Sequence, residues 1–307
     1  MMFNIPLPGG TTGHAVGMAA AAILLGPWAS ILAISVALFI QALFFGDGGI
    51  TAFGANSFNI AIVGSLVAYA VYRLIAGRSP LQAPRRVVAA ALAGYTALNV
   101  SALCAAIEFG IQPGLFHDAS GAPLYAPYPL GIAVPAMMIG HISIAGLAEL
   151  VLSGGLVAWL QQTNPALLMM TAPGAQHADA LPQPPLGWAA LRPLWIGLAA
   201  LMMATPIGLL AVGTAWGEWG ADDFNNPQTR QEIAAASQHT APPTHPPAGI
   251  ERLGSIWSAP IPDYALPSLK SDKLGYVLSA MFGTGTIIAV CLIAGWISRV
   301  RRGHSSF

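Results

Sequence analysis

Long apolar runs alternate along this chain with short strings of glycine, proline and polar residues. A helix needs about 20 apolar residues to cross a bilayer. Runs of that length lie near Trp28 to Phe45, Ile50 to Tyr72, Val87 to Gly110, Leu130 to Leu160, Leu191 to Trp216 and Leu274 to Ser298. A shorter run, His14 to Leu25, stops at Gly26-Pro27, where proline ends one helix and favours the start of another. The pattern predicts an all-α, polytopic integral membrane bundle with six full spans and one short span.

Two glycine-rich strings sit at the ends of these runs. One is Pro8-Gly9-Gly10-Thr11-Thr12-Gly13-His14; the other is Gly46-Asp47-Gly48-Gly49, leading into Gly54-Ala55-Asn56. Orientation follows from arginines in short loops, which stay on the cytoplasmic side. Arg73, Arg78, Arg85 and Arg86 share one loop, and Arg299, Arg301 and Arg302 close the chain. Both groups are placed in the cytoplasm, and the number of spans between them agrees. By the same parity both glycine strings face the external medium and the C-terminus is cytoplasmic.

The polar stretch from Gln161 to Gly187 reads as a cytoplasmic linker. It divides the chain into a first module, residues 1–165, a linker over 166–190, and a second module, residues 191–307. The second module carries two spans around an external loop at 217–273, read either as a small ordered domain or as extended chain.

Composition narrows the function. With 55% hydrophobic and 8% charged residues, the chain lies far below the roughly 25% charged content of soluble domains, so membrane lipid is its solvent. Twelve basic residues balance twelve acidic ones, leaving no overall field to attract nucleic acid. Cys104 and Cys291 fall in separate apolar runs and read as buried small hydrophobes, with no disulfide framework. Neither a Gly-Lys-Ser or Gly-Lys-Thr phosphate loop, nor a Gly-x-Ser-x-Gly elbow, nor a His-Glu-x-x-His helix occurs. An enzyme and a resident cofactor are therefore not expected, and any ATP hydrolysis belongs to another subunit.

Few residues are left that could do chemistry. His14 follows glycines that permit close backbone approach, Gly13 among them, and hydroxyls that could bond its second nitrogen. A neutral imidazole there suits a borderline transition metal; the alternative is a histidine merely seated at the start of a helix. Asp47 stands in a Gly-flanked turn, where capping the following helix near Gly48 and Gly49 is the simplest role. Asn56 and Asn59 lie three apart, on one face of a helix, positioned to tie it to the glycine strings. His141 and Glu149 are polar residues inside a span, where a charge costs about 2.5 to 3.5 kcal/mol on insertion scales. For His141 a structural hydrogen bond and a functional role both stay open, and Glu149 is also placed to meet a neighbouring subunit. His117, Asp118, His239, His245 and the external carboxylates read as solvated, and His177 and His304 have no partner pattern.

Three ordered motifs resemble the CbiM/NikM family: Pro8 to His14, Leu25-Gly26-Pro27-Trp28, and Gly46-Asp47-Gly48-Gly49-Ile50-Thr51 with Gly54-Ala55-Asn56. These proteins are the substrate-binding membrane components of energy-coupling factor (ECF) ABC transporters for cobalt or nickel. The resemblance runs from Phe3 to Leu160 and includes His141 to Glu149, similar to the family's His-x-x-Ile-Gly-x-Gly-Glu helix. The second module resembles the CbiN/NikN subunits. There Pro247-Ala248-Gly249-Ile250-Glu251 is similar to the Pro-Asp-Gly-Leu-Glu (PDGLE) motif, with Ala248 in place of its aspartate and Ile250 in place of its leucine.

The resemblance implies Co2+ or Ni2+ as the transported ion, and a transmembrane (T) component and two ATPase subunits as partners in the cell (inner) membrane. It also implies a metal site made by a Met-His-Ile-Pro terminus together with the histidine that corresponds to His14. Residue 2 here is Met2, so of that ligand set His14 alone is present; the favoured expectation is an upstream segment carrying the rest, the alternative a truncated or divergent form with impaired selectivity. Two other functions stay open on the residues alone. One is an ATP-independent secondary carrier or channel passing cations along His141 and Glu149; the other is a non-transporting accessory subunit.

Overall fold

The computed structural model describes residues 4–7, 11–172, 188–210, 215–266 and 269–304. Among these, a two-stranded antiparallel hairpin, β1 (Asn4–Leu7) and β2 (Thr11–His14), precedes the helices. They are α1 (Met18–Leu25), α2 (Pro27–Ile40), α3 (Phe53–Asn56), α4 (Ser65–Ala76), α5 (Pro84–Leu115), α6 (Leu130–Gly140), α7 (Gly146–Thr163), α8 (Trp188–Ala204), α9 (Ala221–Asn225), α10 (Pro227–Ala236), α11 (Ala248–Gly254) and α12 (Asp272–His304).

The predicted helical membrane bundle is present. Among the described residues, 5 helices are long and apolar enough to cross a membrane: Pro27–Phe45, Phe53–Ala76, Pro84–Leu115, Leu130–Thr163 and Asp272–Ile297. The sixth expected span, Leu191 to Trp216, includes residues 211–214, which lie outside the described residues. Among the described residues its apolar helix covers Leu194–Leu209, and α8 gives way to a 3-10 turn at Thr205–Leu210, where Pro206 has no N–H to continue the α-helical ladder. The predicted short run is α1, closed by Gly26 at φ 77 before Pro27 opens α2. The hairpin is an addition to the all-α expectation. It pairs Asn4 with His14 and Ile5 with Gly13, so His14 ends a strand instead of starting a helix.

The central post is α5, packed against α1, α4, α6 and α7. Its inward face is built of small residues, with Ala89, Ala90, Ala93 and Ala97 fully buried. Small residues let helix backbones approach closely where lipid offers no hydrophobic drive between helices. At Gly94 a Cβ would lie 2.5 Å from the Ser153 hydroxyl of α7 and 3.0 Å from the Glu149 carbonyl, so only glycine fits. At the start of α5 the fully buried Arg86 donates to the Ser79 carbonyl at 2.6 Å, the Pro80 carbonyl at 3.0 Å and the Tyr72 hydroxyl at 3.1 Å. A guanidinium out of water must place its donors in this way.

Three spans contain π-helical turns, at Gln41–Phe45, Ser57–Gly64 and His141–Ala145. Such turns rotate the side chains that follow and are frequent at functional sites.

The described residues between Trp216 and Leu266 fold into three short helices and a 3-10 turn. Trp216, Trp219, Phe224 and Ile233 form a buried cluster with Tyr128 and Ala133, and Trp216 Nε1 donates to Ser237 Oγ at 3.0 Å. Gly249 of the PDGLE-like motif opens α11 against the loop before α6. Its N–H donates to the Leu124 carbonyl at 2.8 Å, and a Cβ would fall 2.2 Å from the Tyr125 ring.

Two further expectations need correction. Cys104 is half-buried and Cys291 is exposed, because α12 presents most of its apolar surface outward. The predicted linker begins as structure: helix continues to Thr163, and Pro165–Thr171 forms a 3-10 turn anchored by Thr171 Oγ1 on the Ile23 carbonyl at 2.8 Å. Met2, His177 and most of the linker lie outside the described residues, as does the side chain of His304.

Candidate functional site

The site begins where β2 hands over to α1. The first N–H groups of a helix have no partner inside it, and α1 has no side-chain cap of its own. Glu149, fully buried on α7, supplies one from a distance: its Oε2 accepts the N–H of Val16 at 2.9 Å and of Gly17 at 3.0 Å, and Ser153 donates to Oε1 at 3.4 Å. A carboxylate at a helix N-terminus also opposes the helix dipole favourably. Glu149 therefore faces the interior of this chain and is not available to a neighbouring subunit, as the sequence had suggested.

This anchor fixes His14 just upstream. Desolvation is the main influence on its imidazole and lowers the pKa to about 4, against the pull of the Asp47 charge. The ring is thus neutral at physiological pH and able to act as a ligand. His141 lies close enough to His14 to act on it electrostatically. Its Nδ1 donates to the Met137 carbonyl at 2.8 Å, which leaves Nε2 as the acceptor nitrogen.

The second glycine string makes a tight turn in which Gly46, Gly48 and Gly49 have φ of 75°, 72° and 68°, a region open to glycine at little cost. Asp47 does not cap the following helix. Helix α3 starts after Ala52 without a side-chain cap, while Asp47 Oδ2 accepts Gln41 Nε2 at 2.5 Å and the Tyr264 hydroxyl. Asn56 Nδ2 donates to the Gly48 carbonyl at 3.0 Å and so holds the turn to the next span. Asn59 does not share that role. It lies on the π-helical turn, which carries it off the face expected from a spacing of three, and it donates to Glu108 Oε2 of α5 at 2.7 Å.

These elements meet at one pocket. His14, Gln41, Asp47, Gly48 and Asn56 line a small cavity of about 40 Å³ that opens to solvent, with Leu38, Ala42, Phe53 and Ile60 as the apolar wall. A further residue, Glu218 from the second half of the chain, completes the lining. Desolvation, joined by the negative charge of Asp47, raises its carboxyl to about 7, although the residue keeps contact with solvent. The side chains offer separated nitrogen and oxygen donors. Among the described residues no three His, Cys, Asp or Glu side chains converge on a single metal position. Asp118 accepts from Ser120 and Ala122 within its own loop, away from the pocket.

The second half of the chain also grips the glycine turn from behind. The N–H of Ile261 donates to the Phe44 carbonyl at 2.9 Å and Trp257 Nε1 to the Leu43 carbonyl at 3.0 Å, both in the π-helical turn. Tyr264 stacks on Phe45 with ring centroids 4.7 Å apart. Asp263 and Tyr264 sit at φ 52° and 60°, a costly region for residues with a Cβ, held by these contacts. Sequence reasoning missed Gln41, Glu108, Glu218 and Tyr264. The one signal for Glu218 was its place in Trp216-Gly217-Glu218-Trp219, a carboxylate between two tryptophans.

Comparison with known proteins shows the family. Residues 1–167 match the family described as CbiM, cobalt uptake substrate-specific transmembrane region, and residues 192–300 match the PDGLE domain. The fused nickel transport protein NikMN of Rhodobacter capsulatus is 55% identical over 303 residues, 98% of this chain and 84% of that protein. A protein of Lactiplantibacillus plantarum named as a probable fused nickel transport protein, LarMN, is 44% identical over 295 residues, 96% of this chain and 80% of the other. A solved structure described as a truncated transition metal transporter is 52% identical, with a TM-score of 0.48, over 52% of this chain and 73% of that one. By the extent of these matches, the chain belongs to the CbiM family, with a PDGLE domain following in the same polypeptide.

Proposed function

We propose that this chain is the metal-binding membrane component of an ECF-type ABC transporter that imports Co2+ or Ni2+. The observation that carries the reading is the meeting of His14, Asp47 and Asn56, from three separate elements, at one solvent-connected pocket. A neutral imidazole beside carboxylate oxygens is a donor set that borderline divalent ions accept, and nickel and cobalt both fall in that class. His14 is the ligand from this chain, while Gly13, Asp47 and Asn56 shape the loops around it. The relatives named as nickel transport proteins support the cargo.

The membrane side follows from charge. The span Phe53–Ala76 has Asn56 near one end and Tyr72, the partner of Arg86, near the other. Arginine loops stay cytoplasmic, so the pocket opens outside and the C-terminus lies inside. In the division of labour, residues 1–165 supply all of the described pocket lining but Glu218, the linker over 166–190 joins the halves, and residues 191–307 form the accessory module. A T component and two ATPase subunits supply coupling and ATP hydrolysis.

The test is uptake of radiolabelled nickel and cobalt into proteoliposomes. The chain with its T component and ATPases takes up metal only when ATP is supplied, and His14→Ala abolishes that uptake. Uptake by the chain alone would instead establish a secondary carrier, and uptake undiminished in His14→Ala would remove the pocket from the pathway.

A further inference from the structure

We infer that Glu218 is the carboxylate by which the second half of the chain draws the divalent ion into the pocket; this rests on the pocket being the cargo site. The residue is held there by construction. Trp216 and Trp219 on either side of it are 4% and 9% exposed and pack among Phe109, Tyr128 and Phe224. Between them Gly217 takes φ +93°, and a Cβ there would meet the Phe109 ring at 2.8 Å. The N–H of Glu218 donates to the Ala215 carbonyl at 3.0 Å and closes the turn. With both tryptophans anchored in the aromatic cluster, Glu218 is left to line the pocket opposite them.

Charge then says what the residue is for. Two carboxylates, Asp47 and Glu218, border the same small space, and no lysine or arginine is among its described lining residues. Asp47 is held by Gln41 and Tyr264, whereas among the described residues no hydrogen bond ties down the Glu218 carboxylate. Like charges facing one cavity repel, and a divalent cation is the species that relieves them both. Because no three His, Cys, Asp or Glu side chains converge on one point among the described residues, Glu218 acts by its charge and not as one of a preformed ligand set. The exposure of Glu218 gives it access to ions arriving from solvent. Capture therefore requires both halves of the polypeptide, for a reason located in one side chain.

The experiment is isothermal titration of NiCl2 and CoCl2 into the full chain in detergent, comparing wild type, E218Q, E218D and H14A. The expected result is about a tenfold loss of affinity in E218Q, the lower end of electrostatic focusing effects. E218D should stay within about threefold of wild type, since the charge is kept. H14A should lose binding. If E218Q binds as wild type while H14A does not, the inference is wrong and the pocket reading stands. If E218D is as weak as E218Q, charge is not the cause and the inference is equally wrong. If H14A and E218Q both bind as wild type, the pocket reading fails and takes the inference with it.

Discussion

Glu149 and Gly17 stand 132 positions apart, and the buried carboxylate of the first accepts the backbone N–H of the second at 3.0 Å. Through this bond, and its companion to Val16 at 2.9 Å, α7 determines where α1 begins and so where His14 ends its strand. A charge that is expensive inside a membrane is kept because it satisfies backbone groups with no other partner.

Glu149→Ala is therefore expected to destabilise the fold by about 2 to 3 kcal/mol, the range for losing charged hydrogen bonds to buried donors. Glu149→Gln retains an acceptor oxygen and should cost less. Thermal unfolding in detergent checks both. A melting temperature equal to wild type in the alanine variant would show that the cap contributes nothing.

Tyr264 steadies Asp47 from the far half of the chain. Tyr264→Phe keeps the stack on Phe45 and deletes only the hydroxyl, so about 1 kcal/mol of positioning is at stake. Nickel affinity should fall about fivefold on the usual conversion, with the near-ultraviolet circular dichroism unchanged. An unaltered affinity would mean that Gln41 alone suffices to hold Asp47.

Gly249 is a packing requirement for the second half. In Gly249→Ala the new methyl meets the Tyr125 ring and the Leu124 carbonyl, at 2.2 and 2.4 Å before relaxation. The expected cost is about 1 to 3 kcal/mol, as for other overpacked sites, with faster proteolysis between Trp216 and Leu266 as the readout. Digestion at the wild-type rate would contradict this packing.

Proton competition should be visible in nickel binding. Glu218, raised to about 7, gains a proton as the pH falls from 8 to 6, whereas His14, lowered to about 4, stays neutral throughout. Loss of one carboxylate charge across that window weakens binding as the solution becomes more acid, by up to about tenfold. In Glu218→Gln the slope over the same window should flatten. A slope identical in wild type and variant would assign the proton to another group.

The helical bundle and the second glycine string could be read from the sequence because their signals are local. Twenty apolar residues declare a membrane helix wherever they occur, and a cluster such as Gly46, Gly48 and Gly49 announces positive φ. Contacts across the chain leave no such trace. The Asp47 to Tyr264 bond joins residues 217 apart, and nothing in either segment encodes the other. Glu149 could be recognised as a costly charge, but its partners are backbone N–H groups, which every residue but proline carries. Asn59 was misplaced because a π-helical turn has no distinctive composition, yet it resets which side chains share a face.

The central claim is that His14 binds the transported ion in this pocket. X-ray absorption at the nickel edge of the metal-loaded chain tests it most directly. The account predicts the multiple-scattering signature of a bound imidazole in wild type and its disappearance in His14→Ala; a nickel spectrum unchanged by that substitution would contradict it.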